Sequence, residues 1–319
     1  MAWNSLFVEL KRHVVGCLDY ESRCNLRLCS KHDNILVKST KYVAKLFTIE
    51  EERAYSRMTS KILIRFDNFS IRLTDDNNVT KIERLWMADG PYRMTYKTAS
   101  RYDVARELIE RMSGCNGQIE TETMRIWNLS LEPSDHWRVK CRNLEMRMIG
   151  EWRIKLWLEK TVSSLDRLEI SEWRMDDIGE ILEHFRNTKH FLRLERDVVI
   201  SDEQLEQITT PSVVIYSNDT LTEYGAKRAF KKYVEHSRIG DVFQMRFSIP
   251  SFKSFDPSAF FDRAWAVEKR DDGDVEGLFC FKITGGFENV HDVSVFPYIA
   301  FYVFPTYGMI QAHELVQPN

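Results

Sequence analysis

Proline and glycine are scarce in this chain, 8 and 13 of 319 residues. That scarcity excludes collagen-like, linker-like and broadly disordered chains. A charge excess of either sign is also missing. Lys plus Arg number 45 and Asp plus Glu 48, a formal net charge of −3, so no basic surplus exists to drive nucleic-acid binding by counterion release. Long apolar runs are absent. The longest, Ser294 to Phe304, is broken by Pro297 and falls well short of the ~20 residues that span a bilayer. Glu9, Lys11 and Arg12 interrupt the first dozen positions, where a secretory leader needs an apolar core, and no membrane partner is expected. The six cysteines (Cys17, Cys24, Cys29, Cys115, Cys141, Cys280) form no C-x-x-C pair and no regular framework. Reduced thiols in a cytoplasmic or nuclear protein are the expectation, and the N-x-[ST] matches at Asn68, Asn78, Asn128 and Asn218 then carry little weight.

What is present is core material. The chain is 43% hydrophobic and 12% aromatic, and its length suggests roughly two domains at about 150 residues each. The first 50 residues hold eight Lys and Arg against five Asp and Glu, which leaves the remainder at −6. Leu6, Leu10, Val14 and Leu18 recur every four residues and predict a helix starting near Ser5. Asp19 or Ser22 can cap a second helix, Arg23 to Cys29, and Ile35, Leu36, Val43, Leu46 and Phe47 predict a third from about Asn34 to Phe47. Three short helices make a weak core, and domains this small need a disulfide, a metal or a partner. Neither of the first two is patterned here, so the physics points to a partner. Residues 1–48 are read as this helical head and the polar stretch 49–60 as a connector.

Beyond residue 60 the pattern turns to strands at 62–66, 71–73 and 82–87, then a helix from Arg101 to Met112. The middle of the chain repeats an apolar-x-x-Leu-x-apolar motif: Ile126/Leu129/Leu131, Cys141/Leu144/Met146 and Leu165/Leu168/Ile170, with reduced copies at Leu192/Leu194 and Val214/Tyr216. From Leu144 onward the copies are spaced by about 22–24 residues, within the 20–29 of leucine-rich repeats. A helix-like segment follows each of the last three copies, and Ser201 with Gln204 has the spacing of a capping box. Such units stack to share a core, although the usual ladder asparagine is missing after Ile170. Residues 61–319 are therefore read as an irregular, leucine-rich-repeat-like strand/helix solenoid, with 241–319 as a β-rich cap. That cap contains a strand at 242–249, a hairpin pairing Ala264–Lys269 with Leu278–Ile283, and a further strand within Val293–Phe304. The fold class is α+β overall.

Catalytic signatures are missing. No G-x-G-x-x-G, Walker loop, H-E-x-x-H or G-x-S-x-G occurs, so no enzyme activity and no cofactor are expected. His184 and His190 lack a Cys or acidic partner at ligand spacing, Asp271, Asp272 and Asp274 lack that of a calcium loop, and Asp176 and Asp177 read as helix caps. No metal is expected. Trp127, Trp137, Trp152 and Trp157 stand among seven Lys and Arg, a pattern able to bind single-stranded nucleic acid. Glu132, Asp135, Glu145 and Glu151 in the same window favour a packed core with a mixed surface.

The head resembles an F-box, in the form found in the large nematode families of F-box proteins. The elements that carry the likeness are Trp3, Leu6, Glu9, Val14, Val15, Leu18, Arg23, Leu26, Arg27 and Cys29-Ser30-Lys31, about 15% of the chain. Phe7 stands where the family has proline, and Asp33 where many members carry an aromatic. The C-terminal part resembles, more weakly, the associated domain of those families through Leu221-Thr222, Phe230-Lys231-Lys232-Tyr233, Phe243 to Ile249, Arg270-Asp-Asp-Gly and Phe301-Tyr-Val303, with Tyr233 in place of a tryptophan. The resemblance implies a substrate receptor of an SCF-type ubiquitin ligase. Its head docks on a Skp-type adaptor and through it a cullin, and its remainder presents a target protein. Trp3, Leu6, Phe7, Leu10, Val14, Leu18, Leu26 and Cys29 are then the candidates for the adaptor interface or its immediate support, about half of them in contact. A binding scaffold that does not deliver its partner for ubiquitination is the alternative, and a single-stranded nucleic-acid binder ranks below it.

Overall fold

The computed structural model describes residues 3–40, 42–52, 60–76, 79–86, 93–113, 117–176, 178–217, 220–236, 241–248, 266–271, 279–284, 298–303 and 307–313. The chain divides into two compact units, Met1–Ser163 and Ser164–Asn319. It is a mixed α+β protein that begins with helices and continues as mixed sheet. Among the described residues no helix is long and apolar enough to cross a membrane.

The first unit opens with a 3-10 turn, Trp3–Ser5, and helices α1 (Val8–Cys17), α2 (Tyr20–Cys29) and α3 (Lys31–Ser39). Asp19 and Ser30 cap α2 and α3: their side-chain oxygens accept from the backbone N–H of Ser22 at 2.6 Å and of Asp33 at 3.0 Å. Four boundaries differ from those that spacing predicts. α2 and α3 begin three residues early, at Tyr20 and Lys31, α1 begins at Val8 rather than near Ser5, and α3 stops at Ser39, well before Phe47. The cause of the early stop is tertiary. Strand β1 (Ala44–Glu52) takes Leu46 and Phe47, lying antiparallel to β2 (Lys61–Phe66) on one side and parallel to β6 (Gln118–Trp127) on the other. Phe47 and Ile49 are fully buried there, and burial of aromatic and β-branched side chains outweighs a helical period. Residues 49–52, expected as connector, are the second half of this central strand, and 53–59 lie outside the described residues.

From β2 the sheet continues antiparallel through β3 (Phe69–Asp76), β4 (Val79–Trp86) and β5 (Arg93–Lys97), the last not anticipated from sequence. Helix α4 (Arg101–Ser113) buries Val104, Ala105, Leu108 and Ile109, as its periodicity requires. On the far side of β6 lie β7 (Arg138–Lys140) and β8 (Asn143–Arg147), both parallel to it, followed by α5 (Glu151–Glu159). The first two repeat motifs are displaced from the strands. Leu129 and Leu131 follow the end of β6 and Cys141 precedes β8, yet all three are buried.

The second unit alternates strand and helix: β9 (Arg167–Met175), a 3-10 turn into α6 (Leu182–Arg186), β10 (Phe191–Val198), α7 (Asp202–Glu206), β11 (Ser212–Tyr216), α8 (Glu223–His236) and β12 (Phe243–Ser248). Ser201 and Gln204 form the expected reciprocal capping box at α7. The four strands are parallel and in register, so two apolar rows cross them: Leu168, Leu192, Val213, Phe243 and Ile170, Leu194, Ile215, Met245. All eight side chains are buried, each contributing roughly 1.5–3 kcal/mol of burial. β13 (Ala266–Asp271), β14 (Phe279–Thr284), β15 (Tyr298–Val303) and β16 (Tyr307–His313) form an antiparallel series that joins the sheet where β16 pairs with β12. The expected 264–283 hairpin is β13–β14, and its Asp-Gly turn lies outside the described residues. β12, which sequence places in the C-terminal cap, extends the parallel series.

Candidate docking face on the N-terminal helices

The helical head has very little core of its own. Val15, Leu36 and Val37 are its buried apolar cluster, with Trp3 and Leu26 packed against them. Polar side chains complete it. Asp33 is buried and accepts from Trp3 Nε1 at 2.8 Å and from Ser30 Oγ at 2.7 Å, so the carboxylate ties the N-terminal turn to α3. The Ser30 hydroxyl first, then the Trp3 indole, hold this carboxyl below the usual carboxylate range. Lys11, also buried, lies with its Nζ 5.6 Å from the Trp3 ring centroid. The Asp33 that departs from the F-box pattern therefore has a local structural use.

Arg23 holds the other end. Its buried guanidinium donates to three main-chain oxygens, Gly16 at 3.3 Å, Leu18 at 3.3 Å and Thr40 at 2.9 Å, and stacks 4.8 Å over the Tyr42 ring. The C-terminus of α1 is thereby linked to the end of α3. Seating on the sheet is aromatic. Tyr20 lies between Phe69 at 4.9 Å, Phe66 at 5.8 Å and Tyr42 at 5.6 Å. Burial pushes the Tyr20 hydroxyl up to about 12, so it stays protonated. Tyr42 donates in turn to Asp67, whose other oxygen accepts from the N–H groups of Lys45 and Leu46 at the start of β1.

The head is thus closed and anchored while much of its apolar surface is left outside. Phe7 is 77% exposed, Leu10 51% and Val14 40%, on the i, i+3, i+7 stripe of α1, with Val8 beside them. Leu28 on α2 is 77% exposed and Ile35 on α3 67%. Six of the fourteen large hydrophobic side chains exposed among the described residues fall between Phe7 and Ile35. Exposed apolar side chains are thus dense on this one small element.

The eight candidate residues separate accordingly. Phe7, Leu10, Val14 and Cys29 are exposed; Trp3, Leu6, Leu18 and Leu26 are half-buried, with Trp3 and Leu26 in the head's own cluster. The four-residue spacing that suggests one apolar face in fact mixes both roles. The buried face of α1 runs through Lys11 and Val15. Sequence reading missed Val8, Leu28 and Ile35; the last two stand on different helices, so no single period links them. Phe7, at the N-cap of α1, has φ −61°, within the range of the proline ring, so losing proline there leaves the entry geometry unchanged.

The tryptophan-rich segment is core only in part, and Trp152 on α5, expected to pack, is 47% exposed. Trp137 and Trp157 are fully buried with ring centroids 5.9 Å apart. Trp127 is flanked by Arg125 and Arg147, and both guanidiniums pair with Glu145. Among the described residues no group of three His, Cys, Asp or Glu side chains is placed to hold a metal ion.

The head is thus a closed helical element that displays apolar side chains on its surface. Residues 3–44 match the family model of the F-box domain. An uncharacterized F-box protein of Caenorhabditis elegans is 24% identical over 186 residues, covering 53% of this chain and 48% of the relative. The chain spans about half the length of the curated relative it matches. No solved structure matches the chain. The chain carries an F-box domain at its N-terminus and has a nematode F-box protein as a homologue.

Proposed function

We propose that this chain is a substrate receptor of an SCF-type ubiquitin ligase. The F-box head docks on a Skp-type adaptor and through it a cullin, and the remainder holds a target protein. The observation that carries the reading is the exposed stripe Phe7, Leu10 and Val14, with Leu28 and Ile35, on a head that matches the F-box. Buried apolar anchors dominate most interfaces, and these side chains are apolar, clustered and uncovered. Bond chemistry is left to the recruited conjugating enzyme, and this chain contributes proximity by keeping a target lysine near it. Such an assembly works in the cytoplasm or nucleus. The parallel strand-helix series β9 to β12 supports the solenoid-like reading of the target-holding region, whose likeness to an F-box-associated domain rests on the quoted residues.

Co-expression with a Skp-type adaptor followed by size-exclusion chromatography tests this. The full chain co-elutes stoichiometrically. Leu10→Asp and Val14→Asp, placed at exposed positions, keep the circular dichroism of the parent and lose the complex. Co-elution of both variants at parental levels overturns the assignment of this face.

A further inference from the structure

The corner between α2 and α3 holds chemistry that the adaptor reading does not use. Arg27 to His32 are six consecutive exposed residues, and Ser30 among them is the extended residue that separates the two helices. Its hydroxyl works in both directions. It accepts from the backbone N–H of Asp33 at 3.0 Å, capping α3, and donates to Asp33 Oδ2 at 2.7 Å. The other carboxylate oxygen accepts from Trp3 Nε1 at 2.8 Å, and the Trp3 carbonyl accepts in turn from the N–H of Leu6 at 3.2 Å. A line of hydrogen bonds therefore runs from a residue at the surface, through a buried carboxylate, to the turn that leads into Phe7. Cations flank its outer end. Arg27 stands three residues before Ser30 and Lys31 one after. Arg27 also crosses the corner, its Nε donating to Asn34 Oδ1 at 3.4 Å. A cation three residues ahead of an exposed serine is a charge pattern that basophilic serine kinases read.

We propose that Ser30 is a phosphorylation site, and that a phosphate there releases Trp3 and turns the head's docking face off. The Ser30 oxygen attacks the γ-phosphorus of ATP and the bond from that phosphorus to the β,γ-bridging oxygen breaks. ADP leaves, and the hydroxyl proton passes to a base of the kinase. The product has no proton to give Asp33 and brings a charge of about −1.5 to −2 beside it. The N-terminus of α3, with Arg27 and Lys31 on the flanking turns, favours an anion in that place. Asp33 is the group displaced. Its hydrogen bonds from Ser30 and Trp3 hold it more strongly than the charges of His32 and Lys11 do. With the first bond gone and a like charge within reach, the carboxylate turns away and Trp3 loses its acceptor. Trp3 packs on Val15, Leu36 and Val37, and the turn it anchors sets the entry of Phe7. The phosphate also stands two residues from the exposed Leu28, and a charge placed in an apolar interface opposes its burial. Release of Trp3 stands on this geometry. Loss of docking rests on the receptor reading above and names a regulation of that same face.

The test uses the full chain, folded before treatment with ATP and a serine kinase that prefers arginine three residues ahead of its acceptor. Mass spectrometry locates the phosphate, and NMR follows the Trp3 indole N–H with and without it. Phosphate is expected on Ser30, and Arg27→Ala loses most of it. The Trp3 resonance moves in the direction it takes when Asp33 is protonated. Affinity for a Skp-type adaptor falls by about tenfold or more, as expected for loss of a hydrogen bond to a charged group. Phosphatase treatment restores both readings, which separates a switch from damage to the fold. Inserting phosphoserine at position 30 during synthesis gives a stoichiometric sample for the same measurements. Absence of phosphate from Ser30, equal labelling of Arg27→Ala, or an unmoved Trp3 resonance in the phosphorylated chain each overturns the proposal. Parental adaptor affinity after phosphorylation overturns it too. A chain that ignores the adaptor before any phosphorylation sinks the receptor reading, whereas phosphate on Ser30 with a displaced Trp3 still supports the modification site.

Discussion

Two charged residues hold the head together where its apolar core is too small to do so. Arg23 satisfies three carbonyls that terminate or follow helices, a task that helix ends otherwise leave to water. Removing it strands those acceptors in a buried place. Arg23→Ala is expected to cost about 2–3 kcal/mol, seen as faster amide hydrogen exchange in α1 to α3 with the sheet of the first unit unchanged. Arg23→Lys does not restore the protection, because one ammonium cannot reach three oxygens set by a planar fork. Asp33 gives a pH signature. Its carboxyl titrates lower when folded than its ordinary value of 3.8, so its contribution is complete above that value and is lost as pH falls through the lower folded one. The Trp3 indole N–H resonance should shift below about pH 4 in the parent and stay flat in Asp33→Asn. An indole signal that moves equally in both would mean that Asp33 is not the group holding Trp3.

At the scale of elements, adjacency decides what periodicity cannot. The strands β9, β10 and β11 and the capping box at α7 were legible because a buried parallel strand followed by a capped helix writes both period and punctuation into a short stretch. The third helix was over-extended because Leu46 and Phe47 continue a helical spacing, and only the neighbours β2 and β6, far along the chain, make them strand. The site was half legible for a related reason. An apolar residue on a short helix reads the same whether it faces a core or a partner, so Leu10 and Leu26 looked equivalent until exposure separated them. The α7–α8 junction offers a test of fit between elements. Asp202, at the start of α7, accepts from the backbone N–H of Thr222 at 3.0 Å and from its hydroxyl at 2.6 Å, which fixes the entry of α8. A Cβ on Gly225 would collide with the Asp202 carboxylate. Gly225→Ala is expected to lose about 1–3 kcal/mol in urea unfolding, despite alanine's better helix propensity. A more stable variant would show that Asp202 moves aside at no cost.

For the whole molecule, the head and the sheet of the first unit are one construction. Tyr20 packs on Phe66 and Phe69, and β1 begins only a few residues after α3 ends. A chain truncated before residue 49 would lose the first half of a strand that is paired on both sides, Phe47 included. Such a truncation is expected to aggregate or elute in the void volume, while Leu10→Asp elutes as the parent does. A well-folded truncated chain, by circular dichroism and elution volume, would show that β1 is dispensable. Loss of adaptor binding on truncation is therefore a poor measure of docking, and single exposed substitutions are the informative variants.

The placement of β1 also sets an order of events during synthesis. Its partner β2 follows almost at once, but Ala44 pairs with Thr121, a separation of 77 residues. At about 5–20 residues per second, a ribosome takes roughly 4–15 s to supply that second neighbour. Through that interval the head and the β2–β4 hairpins can form from local contacts, while the far edge of β1 stays an open template for strand addition. Whatever occupies that edge in the meantime must give way to β6 in time, which makes the nascent chain, more than the finished one, the form most in need of a chaperone.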